Sequence, residues 1–148
     1  MNAGGMAFLH GWGAHPVIWE PLLEFFPGAH ALPMPGYDGS DAAFTLDEIA
    51  AKLSAQLEDE TLLIGWSLGG QVAVRIALDY PEKVSRLCLI AATPCFVNRV
   101  DWSHGVDAEV FNQILAIHQH ARMHIVRQRK DMPAARPHLE AALHDAVI

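Results

Sequence analysis

Residues 61–70 of the chain read TLLIGWSLGG, and this stretch decides the fold. Its first four residues form a short apolar run of the kind that fills a buried strand. A helical pattern of apolar residues begins directly after Ser67 and continues through Leu78. A strand, a sharp turn and a helix are therefore predicted in immediate succession, as in a βα unit of a parallel sheet.

The turn has the spacing G-x-S-x-G, with glycines at 65 and 69 around Ser67. A chain that turns this sharply from strand to helix strains the backbone of the serine and leaves no room for side chains at the flanking glycines. The hydroxyl then stands at the carboxyl end of the sheet. The N–H of Leu68, at the start of the helix, faces the place where an oxyanion would form. Ser67 is predicted to be a nucleophile.

A second glycine-rich turn, His10-Gly11-Trp12-Gly13, follows the apolar run at residues 6–9. An oxyanion hole needs a second backbone N–H from the loop after an earlier strand, and Trp12 is the candidate for it. The indole of Trp12 also offers an apolar wall to a substrate. For His10, a structural role that braces the loop by hydrogen bonds is favoured over a role as general base.

The rest of the chain fits an α/β fold, a parallel sheet flanked by helices. Strands are predicted at residues 6–9, 29–32, 61–64 and 87–90, and helices at 16–26, 46–57 and 68–78. Thr45 and Glu48 have the spacing of a capping box before the second of these helices. From residue 107 onward the pattern is helical, over 107–130 and 134–146, with no further strand.

Composition and charge exclude several classes of function. The 148 residues are 51% hydrophobic and 18% charged, which is typical of a globular protein. The net charge of −7 gives no broad basic face for nucleic acid. No apolar run is long enough to cross a bilayer, and the first ten residues do not read as a signal peptide. The two cysteines lack metal or redox spacing, so reduced thiols in a cytoplasmic protein are expected.

The two glycine motifs, with Pro35-Gly36-Tyr37-Asp38-Gly39-Ser40 between them, resemble those of the α/β-hydrolase superfamily. Thr93-Pro94-Cys95-Phe96, followed by Arg99 and Trp102, narrows the resemblance to the pimeloyl-[acyl-carrier protein] methyl ester carboxylesterases of biotin synthesis. The resemblance is good over about residues 5–105.

This resemblance implies a cytoplasmic serine esterase that needs no cofactor or metal and hydrolyses a methyl ester of an acyl chain on acyl carrier protein. Ser67 is then the nucleophile, and Trp12 and Leu68 supply the oxyanion-hole N–H groups and line the substrate site. Residues 1–105 correspond to the N-terminal part of the hydrolase core. Residues 106–148 correspond to part of a helical cap, whose basic residues (five of them from Arg122 to Arg136) would face the acidic carrier protein.

The resemblance also implies that residues are missing. The triad order in this fold is serine, acid, histidine, and the acid and histidine follow strands that come after the cap. The chain is expected to end inside the cap and to be a weak catalyst alone. Two rival functions stay open: another small-ester hydrolase of this fold (lipase-like or cleaving carbon–carbon bonds), and a catalytically inactive fragment. The oligomeric state also stays open.

Several residues after the last predicted strand are candidates to replace the missing acid and histidine. Asp101 follows the last predicted strand, and His104, His118, His120 and His124 come after it. The spacing of His120 and His124 also permits a metal pair on a helix. Solvated cap histidines are favoured over both a substitute triad and a metal site.

Overall fold

The computed structural model describes residues 5–36, 44–113 and 116. Four parallel strands form one sheet, in the order β2-β1-β3-β4. Their bounds are Met6–Leu9 (β1), Ala29–Leu32 (β2), Thr61–Trp66 (β3) and Val84–Ile90 (β4). All four predicted strands are confirmed. β3 continues two residues further than the apolar pattern indicated, and β4 begins three residues earlier.

The first helical segment is shorter and more irregular than predicted. A 3₁₀ turn at Pro16–Trp19 is followed by a single α-helical turn, α1, at Glu20–Leu23. Pro21 has no N–H to donate to the preceding turn, so a continuous α-helix cannot form across it. The chain then turns into β2 through Gly28, whose φ of 87° favours glycine.

The second helix, α2, spans Leu46–Ser54, and its predicted capping box is present. The hydroxyl of Thr45 accepts the N–H of Glu48 at 3.2 Å, and the Glu48 carboxylate accepts the N–H of Thr45 at 2.7 Å. This hydrogen bond from the Thr45 N–H lowers the pKa of the Glu48 carboxyl. The helix ends before residue 57 because bonds of the i→i+3 type tighten its last turn, as from the Leu57 N–H to the Ser54 carbonyl.

The third helix, α3, spans Leu68–Asp79 and packs with α2 over one face of the sheet. Buried apolar residues of these two helices and of β1 and β3 form the larger core cluster there. On the other face Trp19 packs against Phe8, with ring centroids 5.1 Å apart. The sheet therefore has helices on both faces, as predicted for an α/β fold.

The strand order creates a crevice at the carboxyl ends of the two central strands, β1 and β3. The chain leaves β1 for β2 on one side and later returns to form β3 on the other side of β1. The ends of β1 and β3 are neighbours, because Leu9 pairs in register with Gly65. Loops that leave adjacent parallel strands in opposite directions open a ligand-sized crevice at the carboxyl ends. Both predicted glycine motifs follow these strand ends.

Several predictions fall partly or wholly outside the described residues. Residues 108–113 are helical, in agreement with the start of the predicted cap segment. Most of that segment lies outside the described ranges, including His118, His120, His124 and the basic residues 122–136, and so does the motif from Tyr37 to Ser40. Both cysteines are free, as predicted. None of the described helices has the length and apolar character needed to cross a membrane.

The capping box gives a stability prediction. Thr45→Ala removes the hydroxyl that accepts the Glu48 N–H, so we expect the free energy of unfolding to fall by about 1 kcal/mol. Thr45→Ser keeps the hydroxyl and should stay near the wild-type value. Urea titration of the three proteins measures the difference. Equal stability of Thr45→Ala and wild type would show that the box contributes nothing.

Candidate active site

Ser67 lies between the end of β3 and the start of α3, as predicted. Its φ of 55° and ψ of −120° are strained for a residue with a side chain, which typically costs about 1–3 kcal/mol. Backbone hydrogen bonds hold it on both sides: its N–H donates to the Ile90 carbonyl of β4 at 3.0 Å, and its carbonyl accepts the N–H groups of Gly70 at 2.9 Å and Gln71 at 3.3 Å. The Ser67 hydroxyl makes no capping bond to α3, and the residue lines a cavity.

The glycines around Ser67 are required by close backbone approach. A Cβ on Gly65 would lie 2.6 Å from the Cα of Gly70, and closer still to the Gly69 carbonyl oxygen. A Cβ on Gly69 would lie 2.7 Å from the carbonyl oxygen of His10, and closer to that of Leu9. The first turn of α3 therefore rests directly on the ends of β3 and β1.

Gly11 brings the loop after β1 against the same turn. A Cβ at this position would lie 3.2 Å from the Cβ of Ser67 and 3.1 Å from the ring of Trp66. The next residue, Trp12, is half-buried, packs against the larger core cluster and lines the same cavity as Ser67. The two motifs that the sequence singled out thus meet at one site.

His10 is fully buried at the base of this loop. Its Nδ1 lies 2.9 Å from the carbonyl oxygen of Gly11, and its Nε2 accepts the backbone N–H of Met34 at 3.1 Å. This pair of bonds fits a neutral ring with the proton on Nδ1. Burial lowers the pKa of His10 from 6.5 to about 4. The structural role favoured from the sequence is confirmed: His10 ties the loops after β1 and β2 together.

Leu68 does not line the cavity with its side chain, contrary to the prediction. Its side chain is fully buried in the larger core cluster and does not line the cavity. Its N–H is in the first turn of α3, where backbone donors have no partner within the helix and carry the positive end of the helix dipole. The predicted substrate contact of Leu68 is therefore limited to this N–H.

The cavity beside Ser67 has a volume of about 330 Å³. Its lining is mostly apolar, with polar side chains at three positions. The lining residues are Trp12, Ser67, Thr93, Phe96, His104, Gly105, Val106 and Phe111. Phe96 and Phe111 stack with ring centroids 6.2 Å apart, so the cavity has an aromatic floor suited to an acyl chain.

A buried glutamine supports the loop that lies beside the cavity. Gln71 of α3 is buried, and its Nε2 donates to the carbonyls of Thr93 at 2.9 Å and Pro94 at 3.2 Å, which holds the loop after β4 beside Ser67. Sequence reasoning did not assign Gln71 or Phe111 to the site. Phe111 follows the apolar pattern of the cap segment, but nothing in that pattern says which way the segment folds back.

His104 and Asp101 differ from what a substitute triad requires. His104 is exposed, as expected of a solvated histidine, but it also lines the cavity. Asp101 is exposed in a turn and is not among the lining residues. The part of the cavity built by the described residues therefore has no carboxylate to orient a base. Among these residues no cluster of three or more potential ligands for a metal ion occurs.

Comparison with known proteins agrees with this geometry. The model of the alpha/beta hydrolase family matches residues 6–146, nearly the whole chain. The chain belongs to this family.

Two named relatives of this chain are esterases. The chain is 40% identical over 111 residues to the pimeloyl-[acyl-carrier protein] methyl ester esterase of Nitrosomonas europaea, a match that covers 72% of this chain and 44% of the relative. The esterase of the same name from Aromatoleum aromaticum is 38% identical over 117 residues, covering 73% and 47%. The matched segment thus spans less than half the length of either relative.

A solved structure supports the fold. The esterase from Exiguobacterium antarcticum superposes with a TM-score of 0.67 at 21% identity, covering 86% of this chain and 53% of the esterase. At this identity the likeness establishes the shared architecture of the two proteins and nothing about the substrate.

The close contacts at Gly65 predict that adding a side chain there strongly destabilises the fold. Gly65→Ala forces a Cβ into backbone atoms of α3 that no side-chain rotation can relieve, so we expect a loss of about 3 kcal/mol or more in the free energy of unfolding. Gly5→Ala is the matched control, because a Cβ there meets its nearest neighbour at an ordinary 3.5 Å. Urea unfolding compares the two. A Gly65→Ala protein as stable as Gly5→Ala would refute the close approach.

The burial of His10 predicts that the stability of the fold depends on pH. The pKa of His10 is lower in the folded chain, so between pH 6.5 and about 4 the unfolded chain binds more protons. Its contribution to stability is present above pH 6.5 and is lost as the pH falls toward 4, by about 3 kcal/mol in total. Urea unfolding of wild type and His10→Asn at several pH values across this range measures the contribution of His10 to the free energy of unfolding. The variant should be less stable at pH 7 and show the weaker pH dependence; equal slopes would contradict the burial argument.

Proposed function

We propose that this chain carries the nucleophile and oxyanion hole of a serine carboxylesterase that cleaves the methyl ester of an acyl chain on acyl carrier protein. The observation that carries the proposal is the backbone of Ser67, strained at a strand-to-helix turn with its side chain on an apolar cavity. A strained serine at such a turn is the hallmark of the nucleophile elbow in this fold.

The reaction follows from these positions. The Ser67 oxygen attacks the ester carbonyl carbon while a general base takes its proton, and a tetrahedral oxyanion forms. The N–H groups of Leu68 and Trp12 stabilise that oxyanion, a contribution worth about 10²–10³-fold in rate per donor. Collapse breaks the bond to the methoxy oxygen, which leaves as methanol with the proton from the base. Water then attacks the acyl-enzyme, releases the carboxylic acid and regenerates Ser67.

The similarity to named relatives supports the substrate class. Two proteins at 38–40% identity are pimeloyl-[acyl-carrier protein] methyl ester esterases, and the region matched by the family model, residues 6–146, includes both glycine motifs. The aromatic floor of Phe96 and Phe111 suits an aliphatic acyl chain. A substrate on acyl carrier protein would place the reaction in the cytoplasm. These observations favour this substrate over the lipase-like or carbon–carbon bond substrates of other hydrolases.

The general base and its acid are proposed to come from the part of the fold that corresponds to the unmatched half of the relatives. Without a base, the serine hydroxyl stays a weak nucleophile. A base contributes about 10²–10⁴-fold, and loss of triad members leaves about 10³–10⁴-fold catalysis over water.

The 148-residue chain is therefore expected to hydrolyse p-nitrophenyl butyrate at least about 10³ times more slowly than the full-length Nitrosomonas europaea relative. Steady-state kinetics of both proteins measure the ratio. The residual rate should not change when His104 is replaced by leucine, because the butyryl chain ends in a methyl group and offers the imidazole no hydrogen-bond acceptor. A fast rate that His104→Leu abolishes would show that the chain supplies its own base.

A chimera tests the proposed function directly. Joining this chain to the part of the Nitrosomonas europaea relative that the match does not cover should restore hydrolysis by about 10³-fold or more, provided that the chimera is soluble and unfolds cooperatively. Ser67→Ala in the chimera should abolish it, whereas the exposed control Ser103→Ala should not. A folded chimera that hydrolyses esters equally well with Ser67→Ala would refute Ser67 as the nucleophile.

A further inference from the structure

The cavity beside Ser67 contains a histidine that none of the chemistry above uses. His104 is the one ionisable side chain among the described residues that line it; the other polar side chains there are Ser67 and Thr93. We infer that His104 is a specificity-determining residue: its imidazole binds an oxygen acceptor at the far end of an acyl chain whose ester lies at Ser67. This inference rests on the proposed ester site and adds the class of acyl chain that the site selects.

The loop that carries His104 is held in place by backbone bonds. The Val106 N–H donates to the Phe96 carbonyl, and the Asn98 N–H donates to the Val106 carbonyl, both at 2.9 Å. The Asn98 side chain donates to the Asp107 carboxylate at 2.8 Å. These bonds close the segment from 96 to 107, here called the 96–107 loop, at its base.

Three contacts then fix the tip of the 96–107 loop. The backbones of Arg99 and Trp102 exchange hydrogen bonds of 2.8 and 3.1 Å. Next to His104, a Cβ on Gly105 would lie 2.6 Å from the carbonyl carbon of Val97, so the loop packs there with no space for a side chain. The His104 ring also stands edge-on to Trp102, with centroids 5.2 Å apart. His104 is thus a positioned cavity residue, although it is exposed.

The chemistry of the cavity defines the ligand. Apolar walls favour a methylene chain, and a polar group placed among them fixes orientation and selectivity. An imidazole carries at least one ring N–H in either protonation state, so it can donate to a carboxylate or to a neutral carbonyl. The cavity of about 330 Å³ lies at the lower end of the roughly 300–1,000 Å³ range of small-molecule sites, which suits an ester with a short chain. The matching ligand is a short-chain ester with an oxygen acceptor at its other end.

Binding to the Ser67→Ala chain tests this without turnover. The ligands share one chain length: monomethyl pimelate with a carboxylate end, its primary amide with a neutral acceptor, and methyl heptanoate with an apolar end. Dissociation constants come from NMR titrations that follow the indole N–H signal of Trp12. We expect the two acceptor-ended ligands to bind about 5- to 20-fold more tightly than methyl heptanoate, because each can accept a hydrogen bond from His104 that methyl heptanoate cannot. The neutral acceptor should lie toward the lower end of this range and the charged acceptor toward the upper end.

Substitutions on the same Ser67→Ala background locate the preference. His104→Leu should bind all three ligands about equally, and His104→Gln, which keeps an N–H donor, should retain part of the preference. His30→Leu is the matched control, since His30 lies on β2 and does not line this cavity; it should behave as the parent.

Two results would overturn the inference, and they differ in what else they affect. If His104→Leu keeps the full preference, or if the parent shows none, His104 does not select the ligand while the ester site stands. If no ester binds to the parent at all, the proposed ester site fails together with the inference. A preference for the carboxylate ligand alone would support the role of His104 and show that the group it binds is a free carboxylate. An equal preference for the amide would support the same role and show that the group is a neutral carbonyl.

Discussion

The first turn of α3 lies against the ends of β1 and β3 with no space for a side chain between them. Gly65 and Gly69 make this approach possible, since a Cβ at either position would overlap backbone atoms. Because the helix begins so close to the sheet, the chain between β3 and α3 must reverse at a single residue, Ser67. The strained backbone of that serine and the position of its hydroxyl both follow from this one constraint.

The same constraint assembles the rest of the site. Gly69 rests on the carbonyls at the end of β1, so the loop that begins at His10 starts beside the serine, and Gly11 lets it come within contact of the Ser67 Cβ. His10, buried and hydrogen-bonded to the loops after β1 and β2, keeps this loop in place. The site therefore depends on backbone packing at the switch point of the sheet, with few side-chain interactions.

Much of this arrangement could be predicted from the sequence, because it depends on short-range sequence patterns. The buried strand, the G-x-S-x-G turn and the capping box at Thr45 each depend on residues a few positions apart, and all were confirmed. The first helix was predicted too long: Pro16 indicated where a helix begins, but Pro21, five residues later, prevents a continuous α-helix. The position of His104 on the cavity was not predicted. It depends on how the 96–107 loop folds back on itself, through bonds such as that between Val106 and Phe96, and no local pattern encodes that path.

The central claim is that the fold positions Ser67 and its oxyanion donors for attack on an ester, whereas a general base is still needed to activate the hydroxyl. The most direct measurement is the rate at which a fluorophosphonate modifies Ser67, followed by mass spectrometry of the digested chain, in the folded state and in concentrated urea. If the oxyanion donors are in place, Ser67 in the folded chain should react at least about 10²-fold faster than in urea, and faster than the exposed Ser103. Equal rates for Ser67 in the folded and unfolded chain would contradict the account.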